Sequence, residues 1–318
     1  MDYYKRSSVR PLKKIKDKRM KFKKAQNLKT IADLIGARYV GDAEFQVLGT
    51  NEIHRVTAGD IVFVNHPKYY DKALNSDATI VLIDQEVECP EGKALLISED
   101  PFRDFNLINT HFTRTQDFKE ERHNLEVGDA TIIHSSVVIG NDVKIGDNCM
   151  IHPNVVIGDR TVIGNNVIIQ SGTVLGGDAF YYRKTANGFE KLQSVGHVVL
   201  EDDVEIGVNC TLDRGVTDVT LIRKSTKIDN QVQIGHDTII GERCLIASQV
   251  GIAGCCNIGN EVTLWGQVGV ASSVTIEDKT VVLATSGVSK DLKTGTYFGA
   301  PAEPAKEFYK KAVKLSRL

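Results

Sequence analysis

Aliphatic residues recur at every sixth position from Val127 to Val288, with two interruptions. The first block is Val127, Ile133, Ile139, Ile145, Ile151, Ile157, Ile163, Ile169 and Leu175. The second is Leu200, Ile206 and Leu212, and the third runs from Ile222 through Ile234, Ile240 and Ile252 to Val288. These make 24 hexads, and none is missed within a block. Four residues after the aliphatic position a small or β-branched residue recurs, as at Val143, Cys149 and Val155. Six is an even number, so the two-residue alternation of a strand stays in phase from one hexad to the next. The aliphatic residue and the residue two before it are both expected to point inward. An α-helix would need apolar spacings of three and four, which this stretch lacks. Between hexads the chain must turn, and Gly, Asn and Asp are expected at those corners because they tolerate positive φ. A strict period of six is the signature of a β-helix whose stacked coils bury one apolar prism.

The pattern resembles the left-handed parallel β-helix of the hexapeptide acyltransferases, in which three hexads make one coil. On that reading the 24 hexads give about eight coils, and residues 18 apart become neighbours. The expected fold is therefore mainly β, with a small α/β domain before the solenoid and a short helix after it. Residues 26–122 read as that α/β domain. Leu28–Ile35 has helical spacing with Gly36 as a stop. Tyr39–Gly41 and Phe45–Leu48 read as short strands, Asp60–Val64 and Thr79–Ile83 as buried ones. Pro101–Arg114 is expected to be a helix. The solenoid domain is placed at 123–290. Residues 291–318 form an extended cap and a basic helix from Ala305, with Phe308, Ala312 and Leu315 on one face. The interruptions, Gly177–Val199 and the loop Asp213–Asp218, are the expected positions for site-building insertions.

Charge adds little: 39 basic residues stand against 41 acidic, which excludes a general polyanion binder. Residues 1–25 carry 11 Lys or Arg and two Asp and are expected to be a disordered extension, or an over-extended start with Met20 as the initiator. No apolar run is long enough to span a membrane and no signal peptide is visible, so a cytoplasmic protein is expected. Four of the six cysteines, Cys149, Cys210, Cys244 and Cys256, fall on the inward hexad position, where Cys serves as a small hydrophobe. No CxxC pair exists, and no zinc site is expected.

Candidate chemistry sits where the hexads are decorated. His236 directly follows the glycine after Ile234, so it belongs to a corner and is expected to be exposed and free to act as a general base. Gly254 lies 18 residues on, one coil later, where a backbone N–H can face an oxyanion formed beside His236. His134 and His152 are also 18 apart, but Gln116 and Gln170 break any third metal ligand, and solvated corner residues are the simpler account. Phe63 and Tyr69, in Ile61–Tyr69, are either core residues or a platform on which a base stacks.

Taken together, Phe63 with Pro67-Lys68-Tyr69, Gly177-Asp178-Ala179-Phe180, the run Val204–Gly215, and Asp229-Asn230-Gln231 leading to His236 resemble the UDP-3-O-(3-hydroxyacyl)glucosamine N-acyltransferases of lipid A biosynthesis. The resemblance covers about Lys21 to Pro304. It implies a homotrimer with sites in the grooves between β-helices. It implies a uridine-binding N-terminal domain, with Phe63 and Tyr69 against the uracil. His236 would be the base that deprotonates the glucosamine 2-amino group, and Gly254 the oxyanion donor. Asp229, Asn230, His66, Phe180, Ser273 and Lys290 would contact substrates. The donor would be a 3-hydroxyacyl chain on acyl carrier protein, whose phosphopantetheine makes a separate cofactor or metal unnecessary. No nucleic-acid partner is expected. Departures are His66 in place of an asparagine before Pro67, and Ser273 where the family has a second histidine. Ala179-Phe180-Tyr181 replaces Gly-Phe-Gly, His197 a small polar residue, and the C-terminal helix is short. Two alternatives accompany this reading: a diverged paralogue that acylates another nucleotide amino sugar from coenzyme A or carrier protein, and a non-catalytic trimeric paralogue.

Overall fold

The computed structural model describes residues 21–53, 55–113 and 124–317. The basic residues 1–20 with Met20, His54, Gln116 and His123 lie outside the described residues.

Three sheets of eight, eight and ten short strands, parallel except for the last pair of the third, wrap one prism, so the solenoid has about eight coils. It is the left-handed parallel β-helix that the hexads predict. The first face runs from Val138–Ile139 to Gly287–Val288, the second from Glu126–Val127 to Thr275–Ile276, and the third from Ile132–Ile133 to Val281–Val282. Aliphatic residues stack in register, Ile139 over Ile157 and Ile240 over Ile258. The register survives both interruptions, since Ile163 pairs with Leu200 and Leu200 with Ile222. The insertions therefore leave the prism as loops and rejoin it without shifting a side chain to the wrong face. Cys149, Cys210, Cys244 and Cys256 are all buried in the prism.

The corners correct one expectation. The residue with positive φ lies three positions after the aliphatic one, as at Asn148, Asp237 and Cys255. Asn and Asp share that role with Arg160, Gln249, Glu261, Ser273 and Lys279, so the prism imposes the left-handed conformation even on residues that rarely adopt it. The glycine directly after the aliphatic residue serves another purpose. A Cβ on Gly235 would lie 2.5 Å from the Gly254 nitrogen, so glycine is there to let the next coil approach.

The N-terminal region is a five-stranded sheet in the order Arg38–Val40, Ala94–Ile97, Ile80–Ile83, Asp60–Val64, Gly49–Thr50. Helix α1 (Leu28–Ile35) has Asn27 as its N-cap and ends at Gly36 with φ 66°. Beside it lie α2 (Tyr70–Leu74) and α3 (Pro101–Phe112). The strand Ala94–Ile97 and helix α2 were not predicted, and the expected strands and helices shift by one or two residues at their ends. One hydrophobic cluster joins this region to the solenoid. Leu28, Ile31, Phe105 and Ile108 pack with Ala179 and Leu192 of the first interruption and Val216 of the second. The first interruption forms a hairpin, Tyr182–Thr185 with Gly188–Lys191. Its Arg183 pairs with Asp100, the N-cap of α3, and lies over the Phe102 ring. At the other end, α4 (Ala305–Leu315) docks by Phe308 against Phe298, while Ala312 and Leu315 are exposed, so the expected apolar face is buried only in its first turns.

Candidate active site

His236 stands at the corner after the strand Gln233–Ile234, and the pairing of Ile234 with Ile252 places it over Gly254. Against the exposed corner that the sequence suggests, its side chain is nearly enclosed, with the residue 8% exposed, because the N-terminal domain and the first interruption close over it. Nδ1 lies 2.9 Å from Asp237 Oδ2. Asp237 is itself fixed: its Oδ2 accepts from the Val216 N–H at 2.9 Å and its Oδ1 from the Asp218 N–H at 3.3 Å. Its own N–H donates to Thr220 Oγ1. The loop of the second interruption, expected to line a binding face, instead lies buried behind the histidine and orients its partner carboxylate. Thr217 of the same loop donates to Asn51 Oδ1, which ties the N-terminal domain to this corner.

With Nδ1 bound to a carboxylate, Nε2 is the nitrogen presented to Gly254. A Cβ there would come within 2.5 Å of Nε2. The Gly254 N–H donates to no group among the described residues, while its carbonyl accepts from Ser272 and Ser273. A basic nitrogen and an unused N–H donor therefore lie on adjacent coils, which stack about 4.8 Å apart.

Burial works against protonation of His236, but the Asp237 hydrogen bond and charge, with Glu52 and Asp213 further off, outweigh it and raise its pKa above the ordinary value. Burial and the charge of Asp237 push Glu52 up to about 7. Burial likewise pushes Asp213 up to about 6, against a hydrogen bond from Gln233. His197 is pushed down to about 4 by burial and the Arg160 guanidinium, so it is neutral and unlike the active corner.

A groove of about 680 Å³ opens in front of His236 between the N-terminal domain and the first interruption. It brings together Phe63, Tyr69, Phe180, His236 and Ser273, with Glu52, Asn65, Tyr181 and Cys255 added. Phe63 packs against Phe105 at a centroid distance of 4.7 Å, as the core reading expects, and it also lines the groove. The groove takes Asn65 in place of His66. The exposed His66 caps the short helix Pro67–Tyr69, its Nδ1 accepting from the Lys68 N–H at 3.2 Å. Asp229 and Asn230 lie on the third face, in a separate groove of about 400 Å³ with Leu245 and Trp265, and Asn230 Oδ1 accepts from the Val208 N–H. Lys290 is exposed at the end of the solenoid, outside these grooves. One chain thus does not gather all the residues named from the sequence.

Asp237, Glu52 and Cys255 were missed in the sequence, whereas Tyr181, a departure from the family pattern, does line the groove. Asp237 was legible, since it follows His236 directly. Glu52 comes from the other domain, 203 residues from its partner Cys255, and no periodicity reports it. His134 is an exposed corner residue bonded to Ser136, as the solvated reading expects.

The prism and the decorated corner define a hexapeptide-repeat transferase, and the profile of the bacterial transferase hexapeptide repeat matches residues 124–159, 142–177 and 220–254. The profile described as UDP-3-O-(3-hydroxymyristoyl) glucosamine N-acyltransferase matches residues 44–111, in the N-terminal domain. A UDP-3-O-acylglucosamine N-acyltransferase of Syntrophotalea carbinolica is 41% identical over 246 residues, 70% of this chain and 71% of that protein. One of Campylobacter curvus is 36% identical over 313 residues, covering 91% and 98%. The chain belongs to the UDP-3-O-acylglucosamine N-acyltransferase family and is an acyltransferase. Among solved structures, the UDP-N-acetylglucosamine acyltransferase of Francisella novicida is 26% identical with a TM-score of 0.53 over 61% of this chain and 72% of that one. That of Campylobacter jejuni, 20% identical with a TM-score of 0.52 over 59% and 73%, shares the fold. No helix among the described residues is long and apolar enough to cross a membrane.

Proposed function

We propose that the protein transfers a 3-hydroxyacyl chain from the thioester of an acyl carrier protein to the 2-amino group of UDP-3-O-acylglucosamine, a step of lipid A assembly. The observation that carries this is the His236 corner, where a carboxylate-oriented imidazole faces an unused N–H donor across one coil step. The amine nitrogen attacks the thioester carbonyl, and Nε2 of His236 accepts its proton. The Gly254 N–H donates to the tetrahedral oxyanion. When the C–S bond breaks, the imidazolium returns the proton to the leaving thiolate, and Asp237 stabilises the imidazolium between the two steps. The balance closes with an amide and a free carrier thiol, so the step calls for neither a covalent enzyme intermediate nor a cofactor beyond the carrier's phosphopantetheine.

In this reading Phe63 and Tyr69 hold the uracil from the N-terminal domain. An open apolar trough of about 790 Å³ along the first face, walled by Gly251, Ala253, Gly269, Ala271 and Val288, gives the acyl chain a bed. The working unit is a homotrimer. Asp229 and Asn230 reach the chemistry only if the third face of one copy closes the groove of the next. The exposed Ile132, Met150, Leu245 and Trp265 on that face favour such burial. The test is His236→Ala, assayed with UDP-3-O-acylglucosamine and 3-hydroxyacyl carrier protein. Transfer should be lost with the oligomer and thermal midpoint near wild type. Transfer that persists at the wild-type rate removes the mechanism.

A further inference from the structure

Among the described residues, one grouping of His, Cys, Asp or Glu places three metal-ligating atoms close together, one each from His236, Asp237 and Cys255, all within 4.8 Å of one another. Cys255 Sγ lies 3.9 Å from His236 Nδ1, and Nδ1 lies 2.9 Å from Asp237 Oδ2. A fourth donor comes from the other domain, Glu52 Oε2 at 3.4 Å from the same sulfur. In a tetrahedral zinc site with Zn–S of about 2.3 Å and Zn–N or Zn–O of about 2.0 Å, ligand atoms stand about 3.3–3.5 Å apart. The spacings of 2.9, 3.4 and 3.9 Å bracket that range and the His236, Asp237 and Cys255 ligand atoms spread to no more than 4.8 Å, so side-chain movements of about 1 Å would close the shell. All four residues line or flank the groove, which gives a cation a way in.

We propose that this cluster is an inhibitory site for a thiophilic divalent cation such as Zn²⁺. Thiolate with imidazole favours such ions over Mg²⁺ or Ca²⁺. Binding releases the Cys255 thiol proton to the buffer and forms the metal–sulfur bond, with no change of oxidation state. The Nδ1 lone pair of His236 goes to the metal. A neutral imidazole ligated through Nδ1 carries its remaining proton on Nε2. Nε2 is the atom facing Gly254, so it can no longer accept the substrate's proton. Glu52 joining the shell would also pin the N-terminal domain against the solenoid. Inhibition rests on His236 being the base; the site itself does not.

The experiment uses the full-length protein freed of metal with EDTA. Titration with Co²⁺ is followed by its sulfur-to-cobalt charge-transfer absorption, and Zn²⁺ inhibition of acyl transfer is measured against each variant's own metal-free rate. Wild type should show the band. Cys255→Ser should lose it, and its half-inhibiting Zn²⁺ concentration should rise about tenfold or more, since even residues that only support a ligand are worth that much. Glu52→Gln should keep the band and bind more weakly. A wild type without the band, or equal zinc sensitivity in wild type and Cys255→Ser, overturns the site. A Cys255-dependent band without inhibition overturns the regulatory role. A Cys255-dependent band in a protein whose activity survives His236→Ala would strike down the functional reading and leave the metal site standing.

Discussion

Replacing Gly254 with alanine tests the catalytic geometry at its tightest point. The added Cβ would lie 2.5 Å from His236 Nε2, 2.7 Å from Cδ2 and 2.8 Å from Cε1. Comfortable contacts with a carbon lie at about 3.5–4.0 Å, so the ring must withdraw by about 1 Å. Gly254 has no left-handed φ, so alanine brings no backbone strain of its own. The ring cannot retreat along its hydrogen bond, because Asp237 is held from behind by the Val216 and Asp218 N–H groups. It must tilt, and a tilt spoils both the Asp237 bond and the line from Nε2 to the attacking amine. Misplacing a reacting group by about 1 Å costs on the order of 10² in rate, about 2.7 kcal/mol of barrier. The expected phenotype is therefore a kcat about a hundredfold lower. The KM for the nucleotide sugar should change little, because Phe63 and Tyr69 are untouched. The corner is outside the prism, so the thermal midpoint should stay within about 3 °C of wild type. The assay is release of carrier thiol on transfer to UDP-3-O-acylglucosamine. A Gly254→Ala protein with wild-type kcat would refute the placement of Nε2 against the reacting atoms.

Three further outcomes follow from the same geometry. The base acts when neutral, so in EDTA the wild-type rate should rise with pH through the raised pKa of His236. Asp237→Asn removes the main support for that rise, so its acid limb should move to lower pH and its kcat should fall by on the order of 10² or more; an unmoved limb contradicts the role of Asp237. Phe63→Ala should weaken UDP binding in calorimetry by about 1–3 kcal/mol, with Phe63→Leu retaining the contact with Phe105, and unchanged affinity rejects the uridine site. Glu52, pushed from 4.5 to about 7, favours the folded state when protonated, and that advantage is lost as pH rises through 7. Glu52→Gln should therefore be the more stable protein at pH 8. Half of that shift corresponds to on the order of 2 kcal/mol, to be read from denaturant midpoints in EDTA, and equal midpoints would show that Glu52 is well solvated.

The solenoid was legible because one physical requirement, an inward apolar residue on every short strand, repeats without a miss inside each of its three blocks. The same period predicted the stacking of His236 on Gly254, since a coil of 18 residues needs no tertiary information beyond itself. What the period could not report is anything that crosses between structural systems. Val216 sits in an interruption, yet it is buried in the N-terminal core and its N–H holds Asp237. Asp229 and Asn230 are close to His236 in sequence but lie on another face, because five or six residues take the chain round a corner. The period even misled over most of the corner glycines: outside Gly172 and Gly176, which do have positive φ, nearness to the next coil is the constraint, as at Gly235.

The departures from the family pattern can be weighed on the same terms. His66 replaces an asparagine, yet its Nδ1 accepts the Lys68 N–H much as an asparagine oxygen would, so the turn that carries Tyr69 is preserved. Ser273 replaces a histidine in the groove, in a left-handed corner and beside Ser272, which donates to the Gly254 carbonyl. In the proposed mechanism a second imidazole there is unnecessary for the proton balance, since His236 would both take the amine's proton and return it to the thiolate. The His236–Asp237 pair is complete without it. On the proposed mechanism the substitution therefore bears on how the substrate is gripped, and the burden of catalysis would fall on a single base whose orientation is set by a loop from the second interruption.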